Sequence, residues 1–374
     1  VHDLNFACPT ITFLNAEQNY CGAVTNATVC AACLGAQPEF AGIDIEAWRA
    51  RHRALLERAA FVIAPSSWAA AILRRYFPEH EVRVIPHGST NGISRADAIR
   101  APLPFCDDGR PVVAVLGAIG PDKGARRLEN LVELTRQRGL GLRWVLIGYL
   151  DRGRDPWHSS DGVFAMHGPY ASDALPSLLD HYCVRLVVYP SVGPETFSFT
   201  LSEAWAAGLP AVVPPIGALV DRVSATGAGW VLSEEEWRSD ERMLDRIVAL
   251  LDPTEKHTYD RAAAHARAAP QPTLAAMTDA TLAVYRDAQK RASARPTAKP
   301  IAVERCLAAF HYAPWRPPST AVAAPDVVAP PAPRGPIAGI ARTALRIRHT
   351  LPGRMLYRLA PKALREALKA RISG

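Results

Sequence analysis

Nowhere in the 374 residues does an apolar run approach the roughly 18 residues that a membrane-spanning helix needs. No export signal is visible, and the chain does not open on Met. Its first residues, Val1-His2-Asp3, read as the end of a buried strand, so an upstream part is expected. A disulfide framework is also missing. Of seven cysteines, Cys106, Cys183 and Cys306 stand alone, which suits a reducing cytosol. Net positive charge is absent outside one place: the net +7 is carried by a tail, Ile337–Gly374, with nine basic residues and one acid, and the rest of the chain sums to −1. A basic tail on a near-neutral body weakens a nucleic-acid reading of the whole protein. No internal repeat occurs. A clean G-x-G-x-x-G is absent too, because Gly117, Gly120 and Gly124 have the wrong spacing for a dinucleotide loop.

What remains is ordinary globular composition, 49% hydrophobic and 21% charged, in a length that suggests two or three domains. Glu46–Ala60 reads as a helix and Phe61–Ala64 as a buried strand. Ser66 or Ser67 caps a helix over Trp68–Tyr76, and Val82–Ile85 is a second short strand before Pro86-His87-Gly88. The Ala/Arg-rich stretch Arg95–Pro104 reads as a linker. From Pro111 onward, wholly apolar strands recur at 112–116, 144–148, 164–166, 186–189, 211–213 and 230–232. Helical patterns over Arg126–Arg138 and Ala174–His181, and one ending at Ala204–Gly208, alternate with them. Uniformly apolar strands between helices imply a doubly wound parallel α/β sheet covered on both faces. Helical patterns continue to about Ala294. Ala313–Pro336 is rich in Pro and Ala, a semi-rigid linker before the basic tail.

Ligands on such sheets bind beyond the carboxyl ends of the strands. Two sequence features fall there. In the first, PETFSFTLSEAWAAG (Pro194–Gly208), Glu195 follows the fourth strand and Glu203 lies eight positions on. A helix starting within Thr196–Ser202 would turn free amides toward the strand end, a place for a diphosphate. Glu203 would sit about 12 Å farther along, so one acid can reach a sugar and the other a ribose; carboxylates accept from vicinal hydroxyls in pairs. Solvated acids at a helix start are the competing reading. The second feature is the turn Gly117–Gly124, where Lys123 could neutralise a departing diphosphate.

The segment PETFSFTLSEAWAAGLPAVV resembles the E-x7-E motif of retaining GT-B glycosyltransferases, close to glycosyltransferase family 4, and the resemblance runs from His2 to roughly Arg286. It implies a GT-B fold: a Rossmann-like donor domain plus the C-terminal part of a second Rossmann-like domain. In the family, the first Glu (here Glu195) contacts the donor sugar and the second (Glu203) the ribose. Backbone amides of Thr196, Phe197 and Ser198, with Gly117 and Gly120, would complete donor binding. The family places an Arg a few residues before its Lys-Gly pair. Here Ile119 or Gly120 stands in that place, so Lys123 acts alone or Arg126 or Arg127 substitutes. His2 resembles the family's histidine that projects into the cleft, with Asp3 placed to orient its ring, and a structural histidine is the alternative. His87 is expected to be structural or to line the cleft. Loops around Tyr149–Ser160 and Ile216–Leu219 would select base and sugar.

Cys8, Cys21, Cys30 and Cys33 are spaced so that their thiolates could hold a structural zinc ion, free buried cysteines being the other reading. HDLNFACPTITFLN with the following cysteines looks like an insertion of some bacterial polysaccharide glycosyltransferases. The resulting organisation is 1–95, the end of an acceptor-side domain with a Cys-rich insertion; 96–294, the nucleotide-sugar domain with a return helix; 295–336, a linker; and 337–374, a basic amphipathic tail. That tail could lie on an anionic bilayer or be a solvated extension. The resemblance implies transfer from a nucleoside-diphosphate sugar to a glycan or lipid-linked acceptor in cell-surface polysaccharide synthesis. It implies no cofactor for catalysis, no nucleic acid, and a cytoplasmic location at or near the inner membrane face. A sugar-nucleotide epimerase and a non-catalytic homologue are the alternatives.

Overall fold

The computed structural model describes residues 1–88 and 108–293, all within a unit that spans Val1–Ala302. The linker at 95–104, the Pro/Ala-rich stretch, the basic tail, Cys106 and Cys306 lie outside the described residues.

Residues 1–88 carry helices α1 (Ala27–Gly35), α2 (Ile45–Leu56) and α3 (Ser67–Tyr76), with strands β1 (Val62–Ala64) and β2 (Val82–Val84). The strands pair in parallel, and α3 is the crossover between them. Asn26, Asp44 and Ser66 start the helices by accepting amide hydrogens from the first turn. The core beneath them is built from Leu34, Ile45, Leu56, Tyr76 and Phe77 around the irregular segment 1–26.

The larger sheet contains β3 (Val112–Ile119), β4 (Arg143–Leu150), β5 (Trp157–His158), β6 (Phe164–Met166), β7 (Val184–Val188), β8 (Ala211–Val213) and β9 (Gly229–Val231). Their order is β5-β6-β4-β3-β7-β8-β9, parallel throughout except for the edge strand β5, which runs antiparallel to β6. Helices α4 (Ala125–Gln137), α5 (Leu175–His181), α6 (Phe199–Ala206), α7 (Ala218–Thr226), α8 (Glu234–Arg238), α9 (Asp240–Leu251) and α10 (Lys256–Ala268) cover it.

Side chains alternate across β3. Val112, Ala114 and Leu116 pack with α5, α6 and α7 on one face, whereas Val113 and Val115 pack with α4 and α9 on the other. Both faces are apolar because both are covered, as the unbroken hydrophobic strands require. Without the edge strand, the order is that of a doubly wound nucleotide-binding sheet, whose winding reverses between β3 and β7. The final helix, α11 (Leu274–Ser293), returns to residues 1–88: Arg83 pairs with Asp287 at 2.9 Å and Arg291 with Glu81 at 2.9 Å. Both guanidinium groups lie over Phe61, 3.7 and 4.0 Å from the ring centre.

Candidate functional site

A cleft of about 550 Å³ opens where the sheet reverses, of the size a small-molecule ligand needs. Its floor is the turn after β3, one wall is the loop after β7, and the other is formed by the first residues of the chain and His87.

The turn after β3 is locked to the strand beside it. Gly124 takes a left-handed φ of 82° at the start of α4, and a Cβ there would lie 2.0 Å from the Pro190 carbonyl oxygen. The Asp122 carbonyl accepts from the Val192 and Gly193 amides at 3.0 and 2.9 Å. Lys123 is thereby fixed on the cleft floor.

The loop after β7 is held from behind. The Ser191 carbonyl accepts from Trp237 Nε1 at 3.0 Å, and the Glu195 carbonyl accepts from the Ala218 amide at 2.8 Å. Thr196 Oγ1 donates to the His2 carbonyl at 2.7 Å and ties this loop to the opposite wall. Glu195, half-buried, faces the cleft. The helix begins at Phe199, within the expected stretch Thr196–Ser202, and no earlier, because Ser198 adopts a φ of 74° that no helix accepts. Thr196–Ser198 therefore belong to the loop, and the free amides of the first turn are those of α6 proper.

The opposite wall is aromatic. His2 stacks on His87 with ring centres 5.3 Å apart, and His87 stacks on Phe199 at 5.1 Å and meets Phe197 edge-on at 5.1 Å. Burial, then the neighbouring His2, lowers the pKa of His87 below the ordinary histidine range. Asp3 does not orient the His2 ring; its carboxylate accepts from the Asn5 amide at 2.9 Å.

His2, Lys123, Gly117, Glu195, Thr196, Phe197 and Ser198 thus line one cleft. Glu203 and Gly120 are not part of its lining. Glu203 lies on α6, half-buried, its carboxyl pushed up by burial, and its charge reaches Tyr170. Gly120 serves the turn, its carbonyl accepting from the Ala125 amide at 3.0 Å. Arg127 does not substitute for the missing arginine. It pairs with Asp240 at 2.9 Å and covers Trp237 on the far side of α4. Arg126 is exposed and outside the lining.

The cysteines do not assemble as a zinc site. Among the described residues, no three His, Cys, Asp or Glu side chains are grouped to hold a metal ion. Cys30 Sγ donates to the Val24 carbonyl at 3.3 Å and accepts from Arg49 Nη2 at 3.1 Å, and Cys33 Sγ accepts from Gln37 Nε2 at 3.5 Å. Burial pushes the Cys8 and Cys33 thiols up, toward the protonated form. The buried Arg49 organises this segment instead, donating to the Ala7 and Thr25 carbonyls at 3.0 and 2.7 Å.

Two groups went unread in the sequence. Arg222 on α7 is half-buried against the Phe197–Ser202 segment. Tyr189, directly after β7, is buried with its hydroxyl beside Thr200 and near the charges of Glu195 and Arg222. Nothing in the order of residues around Arg222 marks it, since its partners are main-chain oxygens more than 20 positions away.

In a doubly wound sheet the point of reversal, where this cleft lies, is the place at which ligands bind. Residues 110–252 match the family described as glycosyl transferases group 1. A GDP-mannose-dependent alpha-mannosyltransferase of Mycobacterium tuberculosis is 28% identical over 153 residues, which cover 40% of this chain and 37% of that relative's length. Among solved structures, the sucrose-phosphate synthase of Thermosynechococcus elongatus aligns with a TM-score of 0.49 and 22% identity, over 65% of this chain and 61% of that one. Anabaena HepE, solved with UDP and glucose, aligns with a TM-score of 0.47 and 17% identity, over 63% of this chain and 67% of that one. No helix among the described residues is long and apolar enough to cross a membrane.

Proposed function

We propose that this chain holds the donor half of a retaining glycosyltransferase that passes a sugar from a nucleoside-diphosphate sugar to a glycan or lipid-linked acceptor in cell-surface polysaccharide synthesis. The observation that carries the reading is the convergence of Glu195, Lys123 and the open N-terminus of α6 on one cleft at the reversal of the sheet. The diphosphate would lie on the α6 amides, with Lys123 balancing the charge that grows as the anomeric carbon–oxygen bond breaks. Glu195 would accept from the sugar hydroxyls. Glu203, without a side-chain partner among the described residues, would take the ribose diol at the rim. The acceptor hydroxyl would attack the anomeric carbon from the face the diphosphate leaves, and a phosphate oxygen would receive its proton. His2 would sit beside the sugar. In this reading, the lysine and the helix amides supply the positive potential and no metal is required.

Calorimetry with UDP, GDP and dTDP tests this. The relative's donor makes GDP the first probe. One diphosphate is expected to bind, and Glu195→Ala is expected to lower sugar transfer by about 100-fold or more, the scale of losing a polar contact made in the transition state. Absence of binding by all three, together with unchanged transfer in Glu195→Ala, would refute the reading.

A further inference from the structure

Arg222, half-buried and outside the lining of the cleft, forms a clamp on the loop that makes its wall. Its Nη1 donates to the Phe197 carbonyl at 3.0 Å and to the Ser198 carbonyl at 2.7 Å, and its Nη2 donates to Ser202 Oγ at 2.7 Å. The guanidinium also lies over Phe197 and Trp205, 4.3 and 5.1 Å from the ring centres. A trans peptide points its carbonyl and its amide hydrogen in opposite directions. Two consecutive carbonyls drawn inward onto one guanidinium therefore turn the following amides, those of Ser198 and Phe199, outward. Both residues line the cleft, and among the described residues neither amide has an acceptor. Ser198 supplies the bend with its left-handed φ of 74°, a conformation that costs a non-glycine residue energy and that persists only when its surroundings impose it. Arg222 is the surrounding group that imposes it.

We propose that Arg222 is a positioning residue that builds an anion-holding nest from the Ser198 and Phe199 amides, for the diphosphate of the donor. Two outward amides beside a helix start make a concave anion site, and the half-buried cation behind their peptide dipoles raises its positive potential. Burial lowers the guanidinium to about 10, so it stays charged at neutral pH. This device offers a source for the positive potential that the turn at Gly117–Gly124 lacks without its arginine, and it rests on the donor-site reading above. Arginine is needed because a planar fork can serve two carbonyls and a hydroxyl at once; a lysine ammonium cannot hold that geometry.

The test compares affinities of the full chain for UDP and GDP with those for uridine and guanosine. Arg222→Lys is expected to weaken the diphosphate that binds the parent chain by about tenfold or more, and to leave the matching nucleoside within about twofold. Adding Ser198→Gly to Arg222→Lys is expected to restore part of the loss, because glycine adopts the bend unaided. Should Arg222→Lys fail to fold, Ser202→Ala, which frees one arm of the clamp, is expected to lower diphosphate affinity about threefold with the nucleoside unchanged. Equal losses for nucleoside and diphosphate, or no loss for either, would overturn the proposal. If the parent chain itself binds neither diphosphate, it is the donor-site reading that falls.

Discussion

Replacing Gly124 by alanine places a methyl group between the cleft floor and the strand beside it. The new Cβ would stand 2.0 Å from the Pro190 carbonyl oxygen and 2.6 Å from its carbon, so turn and strand must part by at least about 1 Å. The obstacle is backbone, which cannot swing aside as a side chain can. Two costs add. The left-handed φ of 82° penalises alanine by about 1–2 kcal/mol, and the forced separation costs about 1–3 kcal/mol. A loss of about 2–5 kcal/mol corresponds to a drop of about 4–20 °C in Tm for a domain of this size. Gly139 provides the control: its φ is 58°, but a Cβ there meets nothing within 4 Å, so Gly139→Ala should lose only the first term, about 1–2 kcal/mol. Thermal and urea unfolding of both variants measure the difference. Equal destabilisation would show that the turn and Pro190 are not pressed together, and the placement of Lys123 would lose its support.

Thr135→Val should cost about 1–3 kcal/mol in urea unfolding, because Trp144 Nε1, buried and 2.9 Å from Thr135 Oγ1, is left without an acceptor. Thr135→Ser, which keeps the hydroxyl, should cost less. For His87 the sign follows from its lowered pKa: the folded state disfavours the charged ring, so the stability it contributes is present above pH of about 6.5 and lost as the pH falls through the lower folded value. Unfolding midpoints of His87→Asn should therefore fall less than those of the parent chain on acidification from about pH 7 to 5.

Much of the larger domain was readable because its strands are apolar on both sides. Strands at 112–119, 143–150, 164–166, 184–188 and 211–213 each sit where an unbroken hydrophobic run predicts them. The edge strand Trp157–His158 was not visible, since two exposed residues carry no period. The cap at Ser66 was readable because its side chain acts within its own turn. The helix start was bounded only to Thr196–Ser202, and its position at Phe199 was not readable because the Ser198 carbonyl is held by Arg222, a partner distant in the chain. The same reason hid the clamp. It also explains the cysteines, whose spacing suggests a ligand set while Arg49 and Gln37 occupy Cys30 and Cys33. Local chemistry is written in order along the chain, and contacts made at long range are not.

The return of α11 to Phe61 bears on how the chain is made. Glu81 and Arg83 leave the ribosome more than 200 residues before Asp287 and Arg291, their partners. At the usual synthesis rate, that interval lasts about 10–40 s. Throughout it, Phe61 has the Arg83 guanidinium on its ring but lacks Arg291. The first sheet thus receives its last described contacts from a helix made long after its own strands.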